Sequence, residues 1–201
     1  MRVVVFGREN DAYFEEAKQW VNIFSGDSEN ELRFQDVDLA FKYPFDLGII
    51  VGMEAANVLS IRITQALKRR SVCLCRENEL VDAGFLHQLV CKNNEVLSVL
   101  SELLTIFCGD TLISIEPEEF LRAIGMDAYC MVCEGTIESI SYDEYRKSRP
   151  NDELVILHMR GNSSLGEVGE LYHKIIKDDN PVWAYQYSID DTVNVLTVWS
   201  R

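Results

Sequence analysis

Positive charge is what this 201-residue chain has least of: 19 lysines and arginines stand against 33 acidic residues, a net charge of −14. Nucleic acid and anionic membrane would both be repelled by such a chain, so neither is the expected main partner. A basic or metal-bridged protein surface remains open to it. The N-terminus lacks a long apolar run. One arginine precedes the short run at residues 3–6, which stops at Gly7. That is too little for a signal-peptide core or a membrane span, and the expected location is the cytoplasm.

Histidine is scarce and scattered. His158 falls inside an apolar strand and reads as a core residue, and His173 falls on the solvated face of a late helix. No GxSxG, HExxH or P-loop pattern occurs, and neither a repeat nor a low-complexity linker interrupts the chain. The six cysteines, at positions 73, 75, 91, 108, 130 and 133, lie in apolar runs without a disulfide framework. Cys130 and Cys133 have a metal-like spacing, but on a strand that separation sends the sulfurs to opposite faces. Cys73 and Cys75 share a face, yet no second ligand pair accompanies them, and no metal is expected.

What is present is ample core material, 47% hydrophobic residues, arranged in alternating periods. Residues 3–6, 46–51 and 71–75 read as strands buried on both faces, and 33–39 as a short edge strand. Helical spacing over 10–24 and 54–70 separates these strands. Strand–helix alternation implies right-handed crossovers and a reduced, Rossmann-like parallel sheet. Residues 93–108 predict a long helix opening on an Asn93 cap, with apolar residues nearly all round, as expected between two bodies of structure. Beyond it come a helix at 117–124, strands at 128–133 and 154–159, and a helix at 163–177. Residues 182–189 and 193–199 predict a closing hairpin turning near Asp190 and Asp191. Its aromatic residues Trp183, Tyr185, Tyr187 and Trp199 read as core packing, with a self-association surface as the alternative. The cations Lys68, Arg69 and Arg70 close a helix, where they suit its negative end; a partner patch is the alternative.

The joint between the long helix and the next is the most informative segment: Leu112-Ile113-Ser114-Ile115-Glu116-Pro117-Glu118-Glu119-Phe120. A proline at the first helical position and acidic residues in the first turn make it a well-formed helix start. The order of elements, together with this segment, resembles the tubulin/FtsZ superfamily, whose loop after the central helix runs Leu-Ile-Asn-Leu-Asp-x-x-Asp. Glu116 and Glu119 fall on its two acidic positions and Ser114 on its asparagine. Phe120-Leu121-Arg122-Ala123-Ile124-Gly125, the strand leading to Glu134-Gly135 and the segments from 152 onward are similar to the elements that follow in FtsZ. The match covers residues 93–201 well and 1–92 in outline.

The resemblance implies a Rossmann-like subdomain at 1–92, a central helix at 93–109 and an α+β FtsZ C-terminal-like subdomain at 110–201. It also implies a nucleotide site in the first half, and there the chain departs from the pattern. FtsZ-like GTPases have glycine-rich turns and a Gly-Gly-Gly-Thr-Gly-Thr-Gly loop, whose backbone approaches the phosphates closely. Here the turns are Gly7-Arg8-Glu9-Asn10 and Gly52-Met53-Glu54-Ala55-Ala56. Lone glycines remain, Met53 and the alanines crowd the approach, and Glu9 and Glu54 repel phosphate. Gly7, Gly52 and Glu54 therefore read as a nucleotide remnant, with no cofactor and no GTPase activity expected.

In the family, the acidic loop acts on the nucleotide of the neighbouring subunit, so Glu116 and Glu119 are the candidates for a catalytic role in trans. The lengthened side chains and missing glycine loops favour binding instead, through Ser114, Glu116, Glu118 and Glu119. The expectation is a non-catalytic FtsZ-like protein that caps or regulates an FtsZ/tubulin-like polymer. The alternatives are a self-assembling structural protein, and a small ligand-binding protein or enzyme using the remnant cleft.

Overall fold

Three apolar runs of the first half, at 3–6, 47–51 and 71–75, assemble side by side because each is buried on both faces and takes a place inside the sheet. In the computed structural model, which describes residues 1–24, 31–39, 44–77, 79, 87–109, 115–136, 152–175, 181–189 and 192–200, these runs open one nine-stranded sheet. In chain order the elements are β1 (Arg2–Gly7), α1 (Ala12–Lys18), α2 (Val21–Phe24), β2 (Glu31–Asp36), β3 (Leu47–Val51), α3 (Met53–Arg62), α4 (Gln65–Lys68), β4 (Ser71–Arg76), β5 (His87–Cys91), α5 (Val96–Cys108), α6 (Pro117–Ile124), β6 (Asp127–Gly135), β7 (Glu153–Gly161), α7 (Leu165–Ile175), β8 (Val182–Tyr187) and β9 (Val193–Ser200).

The sheet order is β2-β1-β3-β4-β5-β6-β9-β7-β8. The strands from β2 to β6 are mutually parallel. β2 lies at the edge, as its weak alternation suggests. β5 pairs with β6 through Gln88–Asp127, Leu89–Ala128 and Val90–Tyr129, so the sheet runs from the first half into the second. β5 carries no local signal of its own, because the five residues HQLVC are too few to show a clear period.

The predicted closing hairpin does not form. β9 runs antiparallel between β6 and β7, while β8 sits beyond β7 and pairs with it in parallel. The reason lies in β9 itself: Val195, Leu196, Thr197, Val198 and Trp199 are buried in succession, so both faces need cover and the strand belongs inside the sheet. Asp190 and Asp191, the expected turn, lie outside the described residues.

Two predicted helices are broken. The first ends at Lys18 and resumes at Val21. The second stops where Ile63 turns extended (φ −109°, ψ 151°) and Thr64 caps α4 by accepting from Leu67 N–H. Arg62, at the end of α3, bonds the carbonyl oxygens of Val37 and Leu39, which anchors the break. Ile61, next to this break, is 88% exposed. The long helix begins three residues later than expected, after a 3-10 turn at Asn93–Glu95. Asn93 is not its cap; the backbone carbonyl of Asn93 instead accepts from Tyr13 Oη at 3.0 Å.

α5 is buried over most of its circumference, as its composition suggests. It packs against β4, β6 and β8, and α1 and α2 lie over it. One apolar cluster joins α1, α5 and α6 to one face of the sheet; a second lies under α3, and a third under α7. Cys130 belongs to the first and Cys133 packs against the third, so the two sulfurs do face opposite ways. Cys73 and Cys75 share the second cluster, where burial pushes the Cys73 thiol well up and the Cys75 thiol to about 12. Both stay protonated near neutrality. Tyr185 and Trp199 are core residues, Trp183 is partly buried against them, and Tyr187 is exposed. No helix among the described residues is long and apolar enough to cross a membrane.

Candidate functional site: two unlike ends of a parallel sheet

A parallel sheet has two chemically distinct edges, one where strands begin and one where they end. Strands of about six residues separate those edges by roughly 20 Å. Here the acidic joint sits at the edge where strands begin, and Gly7, Gly52 and Glu54, the expected nucleotide remnant, at the edge where they end.

The acidic joint forms as its local signals direct. Ile115 is buried, Glu116 takes the extended N-cap conformation (φ −72°, ψ 144°), and Pro117 opens α6. Phe120, Leu121 and Ile124 pack inward, and the Phe120 ring meets Phe107 of α5 edge-on at 5.1 Å. The backbone around Glu116 is thereby held between two buried anchors, while Glu116, Glu118 and Glu119 are all exposed. Glu116 makes no side-chain cap bond, which leaves its carboxylate free to meet something outside the chain. Ser114, also assigned to the contact, lies outside the described residues.

Beside this joint is a cleft of about 800 Å³. Its wall includes residues just before or at the start of parallel strands, Met1, Asp46, Arg69, Arg70 and His87, and the first turns of α6. The sequence brings Glu116 and Glu118 to one place but gives no sign that Arg69, Arg70 and Arg122 join them there. Only strand order does that. Arg69 and Arg70 end α4 as the helix-end cations expected, and Lys68, read with them, is buried.

The opposite edge holds a crevice of about 310 Å³ lined by Arg8, Asn10, Asp11, Gly52, Glu54, Arg76 and Glu79, among others. Gly7, Gly52 and Glu54 do converge there or beside it. Their roles are structural in the first instance. A Cβ on Gly7 would lie 2.3 Å from ring carbons of Phe14, so this glycine lets α1 pack on β1. Gly52 has φ +84°, a conformation that glycine tolerates, and turns the chain from β3 into α3.

Charged side chains of the chain itself line this crevice. Arg8 bonds Asp38 Oδ2 at 3.1 Å and Glu54 Oε2 at 3.0 Å, and both partners raise the pKa of its guanidinium. The Asp11 carboxylate accepts from the N–H groups of Tyr13 and Phe14 at 2.9 and 3.2 Å, satisfying the start of α1. Arg76 lies 4.9 Å from the Tyr13 ring centroid and 3.6 Å from Glu79 Oε2. A phosphate entering here meets the carboxylates of Asp11, Glu54 and Glu79 and a helix start already capped by Asp11.

No protein-family profile and no curated protein sequence matches this chain. Solved structures do match it in three dimensions. CetZ from Methanosaeta thermophila strain DSM 6194 superposes with a TM-score of 0.65 over 100% of this chain and 86% of its own, at 8% identity. TubZ of the Clostridium botulinum phage c-st covers 99% of this chain and 92% of its own, at 9% identity and a TM-score of 0.48. The nine-stranded, mostly parallel sheet, the buried central helix and the superposition on CetZ give one conclusion: the chain has the tubulin/FtsZ-like fold.

Proposed function

We propose that this chain is a non-hydrolysing FtsZ-like protein that docks, through its acidic joint, on the end of an FtsZ/tubulin-like polymer and caps or regulates it. The observation that carries this reading is the asymmetry of the two sheet edges. One edge offers exposed Glu116, Glu118 and Glu119 on a rigid backbone; the other is a small crevice bordered by the Arg8–Glu54 ion pair and the carboxylates of Asp11 and Glu79. A subunit with one competent end joins a filament and offers no place for the next subunit. Heterologous contacts propagate only when both surfaces are complementary. A cytoskeletal setting in the cytoplasm follows from this reading.

Sedimentation tests it. Added below stoichiometric amounts to the assembling FtsZ-like protein of its own host, the chain should shorten or reduce the pelleted polymer. The charge reversal Glu116→Lys with Glu119→Lys should abolish that effect. Unchanged assembly at equimolar chain rejects the reading. So does concentration-dependent pelleting of the chain by itself, which indicates a self-assembling protein.

A further inference from the structure

In a chain so short of positive charge, most described arginines are used internally. Arg2 bonds Asp46, Arg8 bonds Asp38 and Glu54, Arg33 bonds Glu31, Arg76 bonds Glu79, Arg160 bonds Glu102, and Arg62 bonds backbone carbonyls. Arg69, Arg70 and Arg122 form no ion pair among the described residues, and all three line the 800 Å³ cleft beside α6. They arrive from two separate elements: Arg69 and Arg70 from the turn between α4 and β4, Arg122 from the second turn of α6.

The volume is that of a small-molecule site. Guanidinium groups present planar donor forks matched to phosphate oxygens. The remaining wall is of two kinds. Met1, Ala66, Pro117 and Leu121 supply apolar surface, while Glu116 and Glu118 supply acceptors. Asp46, also in the wall, is engaged by Arg2 through its backbone N–H at 2.8 Å and its Nη2 at 3.0 Å. Carboxylates in such a place repel a bare anion but bind hydroxyl and amino hydrogens, as acidic residues do on a ribose.

We propose that this cleft binds a small organic phosphate of the nucleotide class, with its phosphate on Arg69, Arg70 and Arg122 and its hydroxyl or amino donors on Glu116 and Glu118. The site lies at the edge where strands begin, away from the Arg8 crevice. It is separate from polymer docking in its demands, since binding is read on the chain alone, although a ligand in it would touch the same two glutamates.

The experiment is calorimetric titration of the purified chain with ATP, GTP and inorganic pyrophosphate in about 0.15 M salt, where exposed charges are screened beyond roughly 8 Å. Saturable binding of at least one nucleotide is expected, tighter than that of pyrophosphate, which lacks the donors. Arg70→Ala and Arg122→Ala should each weaken it about tenfold or more, and Arg8→Ala should leave it unchanged. All three arginines are at least partly exposed, so melting curves should show the variants folded. The proposal is overturned by absence of saturation up to roughly 1 mM nucleotide, by loss of binding in Arg8→Ala, or by pyrophosphate binding as tightly as the nucleotides.

Discussion

Glu102 Oε2 of α5 lies 3.1 Å from His158 Nδ1 of β7, with the two side chains 2% and 0% exposed. The Nη2 of Arg160 completes the group at 2.8 Å from Glu102 Oε1. A carboxylate is thus the link between the central helix and a strand of the second half, in an otherwise apolar layer. Among the described residues neither ring nitrogen of His158 has a partner in hydrogen-bond geometry, so its tie to the helix is the charge contact with Glu102.

Removing that carboxylate leaves a buried imidazole and a half-buried guanidinium without their partner. Breaking a buried pair from one side costs about 3–5 kcal/mol. Glu102→Ala should therefore lower the urea midpoint substantially. A midpoint unchanged within error would mean that the group contributes nothing to the docking of β7 on α5.

Burial alone would push the Glu102 pKa up, but His158 and Arg160 outweigh it and hold the pKa below the ordinary carboxylate range. A depressed folded-state pKa contributes stability above the unfolded value, about 4.3, which is lost as pH falls through the lower folded value. Melting temperature should drop on acidification below about pH 4.3, and less steeply in Glu102→Gln. Parallel slopes for the two proteins would remove Glu102 from the acid response.

Gly7 and Gly52 should respond differently to alanine. Gly52→Ala keeps ordinary contacts but imposes φ +84° with ψ 155° on an L residue, at about 1–3 kcal/mol. Gly7→Ala drives a methyl into the Phe14 ring at 2.3 Å and should cost more, partly recovered by a smaller residue at position 14. Equal destabilisation in thermal melts would contradict this division of roles.

At the acidic joint, stability and docking should separate. Phe120 is fully buried against Phe107, and Phe120→Ala should cost about 3–5 kcal/mol. The exposed Glu116→Lys and Glu119→Lys changes should stay within roughly 0.5 kcal/mol of the parent. Circular dichroism melts distinguish the two classes, and destabilising lysine variants would mean that these glutamates hold the fold rather than face a partner.

α6 is legible in sequence because its signals are local: Pro117 at the first position, acids in the first turn and Phe120, Leu121 and Ile124 on one face. The buried strands β1, β3 and β4 are legible for the same reason. Pairing is not local, and that is where reading fails. β8 and β9 are close in sequence and look like a hairpin, yet β7 lies between them. Glu102, one carboxylate in a run of apolar residues, was the available sign of a buried charge group. Nothing in the sequence located His158 and Arg160 beside it.

Local sequence sets the alternation of buried strands and helices, the near-complete burial of α5, the exposed acidic start of α6 and the scarcity of glycine in the turns after β1 and β3. Each depends on residues within a few positions of one another. Only tertiary structure places the acidic joint and the Arg8 crevice at opposite ends of the strands and brings Arg69, Arg70 and Arg122 to one cleft. Strand order sets both, and strand order depends on which apolar faces find cover from residues far away in the chain.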